Sequence, residues 1–354
     1  MSLYPKNIEE KLGFEQIRAL LKEKCLSNLG VEGVERMHFA SDFEGVAKHL
    51  SQTDEFLKIL NSEENFPTSY FIDVTSALKK AKTEGAFLSE SELLDIGRSL
   101  EAIVNCIKFL SKRKETYPRL ATLINYVDFD ESVIEEIATK IDENAQVKSN
   151  ASPELKRVRG SLQSHYGKVK KLVDRIFKDA VKSGYVPEGA SLTVRDGRMV
   201  VPIAAEHKRK LQGFIHDESS TGQTVFIEPA AVLEGNNEIR ELENAEKREV
   251  IRILTRLTDI IRYNLNPIKG AYKFLSKIDF IRAKALLAKD LDAIFPTLKN
   301  EQSFIWDDAK HPLLLLSYIK QNREVVPLNI QISKLSRLLI ISGPNAGGKS
   351  VCLK

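Results

Sequence analysis

The chain has 354 residues, 42% of them hydrophobic and 29% charged, with a net charge of +4. That apolar share suffices for the cores of two or more domains and excludes a low-complexity, disordered chain. No apolar run approaches the roughly 18 residues that cross a bilayer, Leu313 to Leu316 and Leu338 to Ile341 being only strand-sized; the N-terminus has no signal-peptide core; and Cys25, Cys106 and Cys352 lie far apart without ligand spacing, which points to a reducing cytoplasm and no membrane.

Residues 1–150 read as helix after helix, a core domain without acid/base or ligand spacing. Apolar residues at helical spacing predict helices over Glu15 to Lys24, Gly45 to Leu60 and Ser132 to Asp142. Ser89, followed three residues later by Glu92, predicts a capping box before Leu93, Leu94, Ile96 and Leu100.

Ser152-Pro153 starts a helix as cap and first-turn proline. From Leu155 the apolar residues Val158, Leu162, Tyr166, Val169, Val173, Ile176 and Ala180 follow at steps of three and four, a coiled-coil seam. At 1.5 Å per residue this rod is about 45 Å long. A second rod is predicted after Pro229, with Ile239, Leu242, Ile253, Leu257 and Ile260. Between them the period changes to that of short strands at Ser191 to Val194, Arg198 to Pro202, Gly213 to His216 and Thr224 to Glu228, separated by turn chemistry at Asp196-Gly197 and Ser219 to Gly222. A small antiparallel sheet is thus expected at the tip of a helical hairpin. The first rod holds Lys156, Arg157, Arg159, Lys168, Lys170, Lys171, Arg175, Lys178 and Lys182 against only Glu154, Asp174 and Asp179. This surplus has two readings: pairing with a mildly acidic second rod, or a stripe that faces phosphate.

Gly343-Pro344-Asn345-Ala346-Gly347-Gly348-Lys349-Ser350 fits G-x-x-x-x-G-K-[ST] and follows the apolar run Arg337 to Ser342, which suits a strand buried on both faces. Glycines let the backbone curl its N–H groups toward phosphate oxygens. Lys349 is expected to reach the β and γ phosphates of ATP and Ser350 to hold Mg²⁺. The chain has no Walker B strand after this motif, so we expect neither ATP turnover nor tight ATP binding from it and assign no catalytic residue.

The GPNAGGKS motif after Leu338-Leu-Ile-Ile341 resembles the P-loop of the MutS family. Ala309-Lys-His-Pro-Leu-Leu314 and Val326-Pro-Leu-Asn-Ile330 resemble the segments that open its ATPase domain. Ile215 to Pro229 (IHDESSTGQTVFIEP), Asp196 to Pro202 and Leu12-Gly-Phe-Glu15 are similar to the second bacterial branch, MutS-II. The resemblance implies a mainly α fold: a helical core (1–150), an antiparallel coiled-coil lever (151–183 and 229–266) carrying a β-rich clamp (184–228), a helical return (267–298) and the start of an α/β, ABC-type ATPase domain (299–354). It implies a dimeric ATPase whose clamp grips DNA, with suppression of recombination at branched intermediates; a C-terminal nuclease domain is usual in this branch. The alternatives are a factor that binds rRNA and splits stalled, collided ribosomes, and a structural scaffold with a vestigial P-loop. The branch lacks the mismatch-reading domain, so Phe129-Asp-Glu131 and Phe226-Ile-Glu228 are read as chance matches to its F-x-E string. At the clamp position the resemblance makes Arg195, Arg198, Lys208, Arg209 and Lys210 the candidate nucleic-acid contacts. Asp217, Glu218 and Ser219 read as turn-forming, and His207, His216 and His311 as structural or capping.

Overall fold

The computed structural model describes residues 5, 7–62, 64–195, 197–301, 303–343 and 348–352. The fold is mainly α with small antiparallel sheets, and it divides into two compact units. No helix of the described residues is long and apolar enough to cross a membrane.

One unit comprises residues 80–94 and 135–260. Its first rod is the helix Pro153–Lys182, begun as the sequence predicts: Ser152 Oγ accepts from the Leu155 N–H at 3.0 Å, and Pro153 opens the first turn. The same hydroxyl donates to Glu249 on the second rod, Leu233–Tyr263, at 2.6 Å. Further along, Arg159 pairs with Glu246 (2.7 Å), Tyr166 Oη donates to Glu243 (2.5 Å) and His165 meets Glu238 (3.0 Å). From Ser152 through Arg159 to Tyr166 the partners run back from Glu249 through Glu246 to Glu243, so the rods run antiparallel. Ser89 and Glu92 form the expected reciprocal cap, with Ser89 N–H on Glu92 Oε2 at 2.8 Å and Glu92 N–H on Ser89 Oγ at 3.3 Å.

Four strands separate the rods: β1 (Thr193–Arg195), β2 (Arg198–Ala204), β3 (Gly213–Glu218) and β4 (Thr224–Pro229), ordered β1-β2-β4-β3 and all antiparallel. Val201 lies opposite Ile227 and Ile203 opposite Val225. These four residues share one core with Val169, Val173 and Ala180 of the first rod, Val232 in the turn before the second rod and Ile239 within it. The sheet therefore lies against the later half of the first rod. A sheet with one apolar face must cover it, and the seam residues of that half are the cover. β2 is buried over four successive residues, as a central strand with both faces occupied should be.

The other unit comprises residues 1–79, 95–134 and 261–354. The helix Leu265–Asp290 is buried on most sides, through Ile268, Ala271, Phe274, Leu275, Ile278, Ile281 and Ala285. The helix Asn28–Glu35 crosses it where Gly30 and Gly33 remove the side chains that would keep the backbones apart. A Cβ on Gly33 would lie 3.1 Å from that of Phe280, and one on Gly30 would run into the Asp279 carboxylate. Fully buried Asp279 accepts the N–H groups of Leu26 and Ser27 (both 2.9 Å) and the Ser27 hydroxyl (2.8 Å). A carboxylate at the helix start meets orphan amides and the positive end of the helix dipole. Glu55 does the same for the short helix Pro118–Ala121, accepting from Arg119 and Leu120 N–H at 2.9 and 2.8 Å.

In the last 50 residues the run Leu313 to Leu316 is helical, within Pro312–Ile319, where the His311 ring accepts the Leu314 N–H at 3.3 Å and Pro312 fills the first helical position. One expectation needs correction. The expected strand Arg337 to Ser342 is irregular, with Leu338 92% and Ile340 90% exposed. A strand is held by neighbouring strands, and the only sheet here among the described residues is the pair β5 (Phe304–Ala309) and β6 (Leu328–Ile332), which does not pair with it.

Replacing Gly30 by Ala tests the helix crossing. Alanine favours a helix by about 1 kcal/mol over glycine, but the extra carbon meets a carboxylate held by several hydrogen bonds. We expect a net loss of about 1–3 kcal/mol, read as a lower urea midpoint with unchanged slope.

Candidate nucleic-acid interface and nucleotide loop

Glu228, the last acid of the stretch IHDESSTGQTVFIEP, has no exposed surface and is the hub of the β unit. Arg198 Nη1 donates to both carboxylate oxygens at 2.8 and 2.9 Å, His216 Nε2 lies 2.6 Å from one, and Asn236 Nδ2 donates to the other at 2.7 Å. Arg198 also donates to Asn237 at 2.9 Å. Asn236 and Asn237 stand in the first turns of the second rod, so this network ties β2, β3 and β4 to that rod. His216 reaches it through a β-bulge: Ile215 opposes Ile227 and Asp217 opposes Phe226, leaving His216 as the extra residue. Burial alone would raise the Glu228 pKa, but hydrogen bonds from Asn236, Arg198 and His216 hold it below the usual carboxylate value.

The five candidate cations thus fall into three groups. Arg198 is mostly buried and committed to Glu228 and Asn237. Arg195 is at the surface, 3.0 Å from Asp217 and stacked 4.5 Å over the Phe226 ring centroid; an exposed pair of this kind is weak and can be exchanged for another anion. Lys208, Arg209 and Lys210 are exposed in the β2–β3 connection and have no ion pair among the described residues. Of the other residues singled out, Ser219 closes the β3–β4 turn through Thr224, with its N–H on the Thr224 carbonyl (2.8 Å) and its hydroxyl accepting the Thr224 N–H (3.0 Å). His207 lies beside Tyr185, with ring centroids 5.1 Å apart. Sequence reasoning took Glu228 as part of a chance string. The signal that it is a structural anchor is Asn236-Asn237 eight and nine residues later, one strand end and one helical turn away.

Of the P-loop residues, Pro344, Asn345, Ala346 and Gly347 lie outside the described residues. Gly343 and Gly348 flank them with φ of 144° and 79°, a region glycine enters freely. Lys349 opens the helix Lys349–Cys352 and donates to the Gly343 carbonyl, with Ser350 next to it in the first turn. The Lys349 side chain thus joins the two described flanks.

No family model matches the chain. It is 34% identical over 345 residues to endonuclease MutS2 of Pelotomaculum thermopropionicum, 33% over 346 to that of a Geobacillus species, and 34% over 345 to that of Carboxydothermus hydrogenoformans. Each match covers 97–98% of this chain and 43% of the relative's length. The chain belongs to the MutS2 family. This MutS2 chain spans somewhat under half the length of the curated relatives it matches, and those relatives are named as endonucleases.

Removing the hub should be costly in this MutS2 chain. Glu228→Ala leaves Arg198 without its buried partner, and such breaks cost about 3–5 kcal/mol. The expected readout is loss of hydrogen-exchange protection in β2 and β4. The lowered pKa gives the pH dependence its sign: the stabilisation by Glu228 is complete near neutrality and is lost as pH falls below the usual carboxylate range, about pH 4. Glu228→Gln should flatten that acid limb in thermal melts.

Proposed function

We propose that this chain grips the sugar-phosphate backbone of DNA with its β unit and cradles ATP with Mg²⁺ at residues 343–350, as part of a MutS2 ATPase acting on branched DNA and opposing recombination. The observation that carries the DNA reading is the row Lys208-Arg209-Lys210, exposed in the β2–β3 connection and without an ion pair among the described residues. Arg195 and Arg198 are matched by acids, whereas these three face solvent with their full charge. Contacts from lysine and arginine to phosphate position a duplex without reading sequence. The relatives' name, endonuclease MutS2, supports nucleic acid as the partner class. For the nucleotide, Lys349 would neutralise phosphate charge and Ser350 would supply a hydroxyl to Mg²⁺; the metal ion's chemistry there is charge neutralisation on the phosphates.

Fluorescence anisotropy with a labelled linear duplex and a four-way junction, at one salt concentration, tests the DNA reading. Binding is expected to both. Lys208→Ala, Arg209→Ala and Lys210→Ala together should weaken it and lower the salt slope by about 2–3, at roughly 0.9 for each phosphate that is no longer neutralised. Co-sedimentation with ribosomes in the absence of DNA binding would overturn it. Lys349→Ala should abolish Mg²⁺-dependent quenching of a fluorescent ATP analogue while leaving duplex binding intact.

A further inference from the structure

The first rod divides into two electrostatic halves. In its first half two of the three lysines and arginines have partners: Arg157 pairs with Glu154 and Arg159 with Glu246, while Lys156 has no ion pair among the described residues. In the second half Lys168, Lys171, Arg175, Lys178 and Lys182 are all exposed, and among the described residues none has an ion pair. Their spacing of three, four, three and four residues puts them on one face. At 3.6 residues per turn they fall within an arc of about 80°, centred about 165° round the helix from the seam of Val169, Val173 and Ala180. Rise per residue makes this stripe about 21 Å long, close to one charge per 5 Å.

The stripe opposes helix stability, since like charges three and four residues apart repel. The acids on the same stretch, half-buried Asp174 and exposed Asp179, are too few to match it, and neither forms an ion pair with it. The second rod approaches from the opposite side, and its acids that pair with the first rod, Glu238, Glu243, Glu246 and Glu249, all meet the first half. The five cations are therefore neither packed nor neutralised within the unit, although the sheet covering the seam side leaves room to place them elsewhere.

We propose that this outward face of the first rod is a track for a nucleic-acid backbone, a contact surface additional to the β unit's lysines. The inference rests on the reading that the chain binds DNA. A duplex presents one phosphate per 3.4 Å along each strand, so long, flexible lysine and arginine side chains spaced about 5 Å apart can each reach one. The contact is with phosphate only and carries no base preference.

The test uses the whole chain and a labelled linear duplex long enough to reach past the β unit. Lys171→Ala, Arg175→Ala and Lys178→Ala are made together; alanine favours helix, and circular dichroism verifies the fold. Affinity should fall at least tenfold at low salt, and the slope of log K against log salt should lessen by about 2–3. Lys156→Ala with Lys170→Ala, off this face, should change the slope by less than about 1. Unchanged affinity and slope in the triple variant, with the unmodified chain still binding, would overturn the track alone; no binding by the unmodified chain would overturn the DNA reading itself. If poly-glutamate displaces the unmodified chain as well as unlabelled duplex does at equal charge, the surface serves an acidic protein and the proposal fails.

Discussion

A carboxylate with no exposed surface fixes the geometry on which the rest depends. Desolvating Glu228 is unfavourable, and only the convergence of Arg198, His216 and Asn236 makes its burial tolerable. Because those partners come from β2, β3 and the second rod, the network sets how the sheet meets the hairpin. The apolar core of Val201, Ile203, Val225 and Ile227 against Val169 and Val173 supplies non-directional attraction. The hydrogen bonds to Glu228 select one arrangement from those that burial alone would allow.

This division of labour also explains the surface. Arg198 is consumed by the hub, and Arg159 and His165 are consumed by acids of the second rod. Among the cations left without an ion pair in the described residues are Lys208, Arg209 and Lys210 in the β2–β3 connection and five along the outward face of the rod. The net charge of the whole chain is too small to point to a polyanion. Its distribution after internal pairing is what does so.

Much of this organisation was legible in the sequence. The seam steps of the first rod, the Ser152-Pro153 start, the Ser89 and Glu92 capping box and the four strands all depend on near neighbours and hydrophobic period, and each appears where expected. Contacts between distant residues were not legible. Asp279 lies some 250 residues from the Ser27 it caps, and Glu55 lies about 65 from the amides it receives. Arg198 looked equivalent to Arg195 because sequence does not show which of two arginines on neighbouring strands faces a buried acid. The apolar run 338–341 carries a strand's composition, but a strand exists only when another strand lies beside it. The count of basic residues on the first rod was plain from the start; that Arg159 is neutralised across the hairpin and Arg157 along its own rod was visible only once the partners were in place.

The salt dependence of duplex binding by the unmodified chain tests the central claim most directly, because the slope counts phosphates neutralised without assigning them. The eight cations proposed as phosphate contacts, five on the rod and three in the connection, correspond to a slope of log K against log salt of about −7 if all engage. The account predicts a slope steeper than about −5. A slope shallower than about −2 would contradict it, since so few phosphates would leave most of these cations without a role.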